Sequence, residues 1–160
     1  MFENEAVLNA FARDYLQKLA SDLDDGELDS ATCGKTPRWI LGHLRVVADM
    51  PRAMVGLTSQ LDESWGAAFG PGSKVGADGA PEFSLAQVVA DTVAAYEELA
   101  EAAKHADAGV MSQPHGLGLL DDTPLNTCGD LLSHILSTHF SFHLAQLSAC
   151  RQAKGLVHFF

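Results

Sequence analysis

Two histidines, His139 and His143, stand four residues apart in THFSFHLAQL, residues 138–147. On an α-helix this spacing means about 40° of rotation and about 6 Å of rise, so both rings lie on one face, a turn apart. Imidazoles placed this way can bind one ion through ring nitrogens at roughly 2.0–2.1 Å. The chain holds seven histidines in 160 residues. Such a content yields an H-x-x-x-H pair by chance about 0.3 times per chain, so the pair alone leaves a metal site and two hydrogen-bonded core rings level. A third ring, His43 in WILGHLRVV, sits among Ile40, Leu44 and Val47. A histidine on an apolar face has a nitrogen to satisfy. A hydrogen bond is the usual answer, and a metal shared with a neighbouring helix is the sharper one. Three neutral imidazoles leave coordination positions for water or substrate, as catalytic sites do and closed structural sites do not.

The other histidines are expected to do less. His134 precedes His139 by five residues, about 140° around a helix, and should face away from the ion. His105, His115 and His158 fall in or beside irregular segments, where surface or packing roles are ordinary.

Four segments with helical periodicity must position these rings. Val7, Leu8, Phe11, Tyr15, Leu19 and Leu23 recur every three or four positions and form one apolar stripe. The second segment opens at Thr36-Pro37, a threonine cap with proline at the first helical position, where a missing N–H costs nothing. It carries Trp39, Ile40, Leu44 and Val47 and should kink or end at Pro51. Ser64 to Glu82 is rich in glycine and proline and reads as a long loop, with Trp65 and Phe69 either lining a pocket mouth or covering the bundle end. The third segment starts with the capping-box spacing Ser84 to Gln87 and runs to about His105. A second irregular stretch precedes the fourth segment, which starts near Thr127, with Asp130 three residues on, and stops near Gly155. With no β-alternation and no internal repeat, residues 1–160 read as a single all-α domain, a four-helix bundle.

Composition excludes several function classes. The formal net charge is −11, which repels phosphate backbones and argues against nucleic-acid binding. No apolar run approaches a membrane span, and the acidic, amphipathic start does not resemble a signal peptide, so a cytoplasmic location with no membrane partner is expected. The three cysteines, Cys33, Cys128 and Cys150, form no C-x-x-C and give an odd count, against both a disulfide framework and a zinc ribbon.

WILGHL on the second segment and LLSHILSTHFSFHLAQLSACRQAKG on the fourth together resemble the DinB-like superfamily. Its pattern is a lone histidine shortly after a tryptophan, then H-x-x-x-H-x-x-Q-L followed by arginine and glycine. Here the matching positions are His43, then His139, His143, Gln146, Leu147, Arg151 and Gly155. The resemblance implies a four-helix bundle with an up-down-down-up course, frequently a homodimer. It also implies one divalent metal ion per chain, held by His43, His139 and His143. Assigned activities in that superfamily include S-transfer from low-molecular-weight thiols and maleylpyruvate isomerisation.

A tri-histidine ion, zinc or nickel, would activate water for hydrolysis or a thiol for S-transfer on a small-molecule substrate. No carboxylate is tied to the three histidines in sequence, so no catalytic base is assigned. The same ligands would also serve a non-catalytic protein that binds a metal or a small ligand.

Overall fold

The computed structural model describes residues 1–29, 34–157 and 159. Cys33 and His158 lie outside the described residues. Among those described, no strand forms, and Pro114 and Thr127 make an isolated bridge. The helices are α1 (Glu3–Ala20), α2 (Pro37–Asp49), α3 (Glu63–Phe69), α4 (Leu85–Lys104), α5 (Ala108–Met111), α6 (Cys128–His134) and α7 (Phe140–Ala153). A π-helical turn, Ile135–His139, joins α6 to α7.

The starts follow local chemistry. Glu3 and Glu5 in the first turn of α1 complement its positive end. Thr36 Oγ1 accepts the Trp39 N–H at 3.1 Å, with Pro37 at the first helical position. Ser84 Oγ accepts the Gln87 N–H at 3.2 Å to open α4. Thr127 and Asp130 bond each other reciprocally, backbone to side chain, at 3.1 and 2.9 Å. α2 ends at Asp49, just before Pro51, as the missing donor requires.

α1 packs on α4 and α7, and α2 packs on the same two. Tyr96 of α4 stacks on Phe140 of α7 in the core, ring centroids 4.2 Å apart. The fold is therefore all-helical and compatible with a bundle. α2 is buried nearly all round, because α3 and the segment after it cover the side that α4 and α7 leave open.

Two expectations change. The glycine-rich stretch after Ser64 begins as helix: Asp62 caps α3 by accepting the Ser64 N–H at 2.9 Å, and Gly70 ends it. That short helix was hidden by the glycines around it. On α1, the Val7, Leu8 and Phe11 part of the apolar stripe lies on the surface, whereas Asn9, Ala12, Leu16 and Leu19 are buried. The helix is turned so that Asn9 Nδ2 donates to the Leu136 carbonyl at 3.0 Å.

That bond explains how α6 and α7 remain one rod. A π turn replaces i→i+4 bonds with i→i+5 bonds and leaves carbonyls to be satisfied from elsewhere. Asn9 satisfies Leu136, and the Ser137 hydroxyl donates to the Ser133 carbonyl at 2.5 Å. At the far end, buried Arg151 donates to the Leu19 carbonyl and to Asp22, tying α7 to the end of α1. Gly155 adopts φ 77°, the left-handed conformation that ends a helix at little cost to glycine.

Candidate metal centre

The structure brings His43, His139 and His143 together. One nitrogen from each lies within 4.8 Å of the other two. His43 Nε2 and His139 Nε2 are 3.3 Å apart. Two nitrogens, each about 2.05 Å from a tetrahedral ion, would stand roughly 3.3 Å apart.

The protons can be placed from their partners. His43 Nδ1 meets the Phe69 carbonyl oxygen at 2.6 Å. A carbonyl only accepts, so Nδ1 carries the hydrogen and Nε2 of the neutral ring is a bare lone pair. His143 Nδ1 faces the Gln146 carboxamide oxygen at 2.9 Å, which leaves its Nε2 bare in the same way. His139 has a buried Nδ1 with no hydrogen-bond partner. The one proton of a neutral His139 ring can serve only one of the two bare nitrogens of His43 and His143, so hydrogen bonding alone leaves the set short and a cation completes it. This is the pattern in which outer partners orient metal-ligating rings. The donor set therefore fits a divalent ion.

Burial keeps the rings neutral. His43, only 4% exposed, is held down to about 4, chiefly by loss of solvent and despite its bond to Phe69. His139 is pushed down to about 3 by burial, then by the neighbouring imidazoles. Burial also lowers His143, against the hydrogen bond that it donates to Gln146. Neutral imidazole is the ligand form.

Trp39 stacks on His43, centroids 4.5 Å apart and planes 11° from parallel. Its indole N–H donates to Ser73 Oγ at 2.9 Å. Lys35 Nζ lies 3.5 Å from the centre of the Trp39 ring. Together these fix the ring against which His43 rests. The histidine cluster opens onto a cavity of about 250 Å3, which Trp39 also borders. His43, His139 and His134 line it with Val47, Met50 and Leu120.

His134 departs from expectation. On a regular helix it would turn away from His139. The π turn makes five residues span about one turn, and the two rings meet edge to face at 5.4 Å. His134 is not among the three converging donors; its Nδ1 is 2.6 Å from the Thr138 hydroxyl. It stands beside the centre, at the cavity wall.

The other sequence candidates are structural or peripheral. His115 bridges its own loop, bonding the Leu125 carbonyl at 2.8 Å and the Leu117 N–H at 2.9 Å. His105 lies on the surface near Glu101. Cys128 is buried with Sγ 3.8 Å from the Pro114 carbonyl, and Cys150 is buried with Sγ 3.9 Å from that of Lys35. Trp65 and Phe69 pack with Phe83 as a covering cluster and do not line the cavity, whereas Pro71 and Gly72 do.

The contribution of the Phe69 carbonyl is not readable from side-chain types. One signal pointed near it. Gly42 precedes His43 inside an apolar helix, where glycine costs about 1 kcal/mol relative to alanine. A Cβ there would stand 2.6 Å from the Phe69 ring. The glycine admits that ring, and with it the carbonyl that orients His43.

Comparison with known proteins finds no matching family model and no matching curated protein.

Proposed function

We propose that this chain is a one-domain, DinB-like four-helix bundle with an up-down-down-up course that binds one divalent ion, zinc or nickel, through His43, His139 and His143. We read it as a metal-dependent hydrolase or thiol S-transferase acting on a small molecule, with no nucleic acid or membrane as partner. The observation that carries this reading is the convergence of the three imidazole nitrogens within 4.8 Å.

When bound, a divalent ion supplies Lewis acidity that lowers the pKa of a water or thiol it carries. The protein's own residues do the rest. The Phe69 carbonyl and Gln146 fix the two outer rings by holding their Nδ1 protons. The apolar wall beside His43 and His139 limits water and shapes the entry of a substrate. Surface hydrophobics at Val7, Leu8 and Phe142 support a homodimer formed through α1 and α7. A non-catalytic role in binding a metal or ligand uses the same residues and differs only in turnover.

The test is metal analysis of protein purified without a nickel column, followed by titration with zinc and nickel. One ion per chain, absent from the His139→Ala variant, is the expected result. Unchanged metal content in that variant would end the tri-histidine reading. Turnover of electrophilic thiol acceptors by loaded protein then separates enzyme from binder.

A further inference from the structure

Among the described residues, the wall of the cavity beside the histidines carries no Asp, Glu, Lys or Arg. Apart from the imidazoles and Trp39 it consists of Val47, Met50, Leu117, Leu120, Leu131, Ile135 and similar apolar groups. Its roof is built rather than loose. The turn Gly118–Leu120 is closed by the Leu120 N–H to the Leu117 carbonyl at 2.9 Å, and the Thr123 hydroxyl donates to the Leu120 carbonyl at 2.7 Å. His115 clamps the same loop from both ring nitrogens. At about 250 Å3 the cavity lies below the usual range of ligand pockets, roughly 300–1,000 Å3.

From this geometry we infer that the site selects a small, uncharged, largely apolar molecule bearing one donor atom at the end that reaches the histidines. The inference rests on the tri-histidine metal reading for the donor atom and on the cavity alone for the rest. An ionised carboxylate or ammonium would enter the wall without a partner, at a large desolvation cost. The net charge of −11 works against anions a second time, through the field around the chain. Tripeptide thiols carrying several charges are excluded on both grounds. A benzyl-sized thiol matches the volume and the lining.

The experiment uses the full chain, metal-free and reconstituted with cobalt(II), whose visible bands report a new sulfur ligand. Benzyl mercaptan, its 4-carboxylate and glutathione are titrated into the cobalt protein. Benzyl mercaptan should bind at least about 100-fold more tightly than either charged thiol. Equal affinities would overturn the inference. Toluene, which has no donor atom, should raise the Tm of the metal-free protein by filling the same space. Failure of toluene to raise it would also overturn the inference. No cobalt uptake, with toluene still stabilising, would sink the metal reading and uphold the apolar cavity. Met50 is 38% exposed at the cavity edge, so Met50→Lys should fold and place a cation there. It should narrow the preference against the carboxylate by about tenfold. An unchanged ratio would mean that these ligands bind elsewhere.

Discussion

α2 presents two buried polar side chains two residues apart, and their surroundings differ in kind. His43 faces other acceptors. Arg45, about 200° around the helix, faces partners of opposite sense. Its Nη2 donates to Gln60 Oε1 at 2.7 Å, and its Nη1 lies 3.8 Å from Asp49. Nearby Arg52 donates to the Thr58 carbonyl at 2.5 Å and to Glu98 at 2.9 Å. Asp49 in turn accepts from the Gln60 N–H and the Ser59 hydroxyl at 2.8 and 2.6 Å. Two guanidinium groups meet two carboxylates, so the charges of this cluster balance, even though buried Arg45 Nη1 makes no hydrogen bond. The histidine cluster has lone pairs turned inward with at most one proton between them, and the Lys35 ammonium that acts on it lies over the Trp39 ring. Burial alone does not mark a site. An unfilled demand for a cation does.

The largest expected effects separate the two clusters. His139→Ala should take bound metal from about one ion per chain to none, because one of the three ligands is lost. Arg52→Ala should keep the metal and lose about 1–3 kcal/mol of stability, since it removes a buried guanidinium that binds the Thr58 carbonyl and Glu98. Metal analysis and denaturant unfolding of both variants check this. Loss of metal in Arg52→Ala with the fold retained would break the division.

Acid should act on the histidine side. His43 is held down to about 4 in the folded chain, against an ordinary 6.5. Below pH 6.5 the unfolded chain takes up a proton that the folded chain refuses until about 4. The stabilisation is therefore complete above pH 6.5 and is lost as pH falls toward 4. For His43 alone the loss at pH 5 is about 2 kcal/mol. Unfolding of the metal-free protein at pH 7.5 and pH 5 should show it, and His43→Gln should show less.

The four long helical segments were legible because periodicity and capping residues are local signals, as Thr36-Pro37 and Thr127 with Asp130 demonstrate. The three donors were legible because their residue types carry their chemistry. Three features were not. The Phe69 carbonyl is backbone and has no residue signature. α3 was masked by glycines that serve the turn after it. His134 stays out of the converging set as expected, but its place beside His139 was not legible because it depends on a π turn, to which Asn9, over a hundred residues away in sequence, is bonded. Arg151 and Gly155, both part of the DinB-like resemblance, act in closing the far end of the fold, away from the histidines.

Smaller effects sharpen the comparison further. Asn9→Leu removes the bond to Leu136 and should cost about 1–2 kcal/mol in thermal or denaturant unfolding. It should also weaken metal binding, whereas an equally destabilising change in the arginine cluster should not. Gln146→Leu frees the His143 ring and should lower metal affinity about tenfold, measured against a competing chelator. His134→Ala should leave metal content unchanged. If it abolished binding with the fold intact, His134 would join the ligand set.

The π turn amounts to one residue carried beyond what a continuous α-helix needs. Deleting one residue between His134 and His139 would remove the π turn and set His134, His139 and His143 at four-residue intervals on a plain α-helix. Four α-helical residues turn through about the angle that five residues of the π turn cover, so the same deletion would keep Leu131 and Leu132 on the face that is now buried. The extra residue is therefore spent within the turn, and the bearing of α6 does not depend on it.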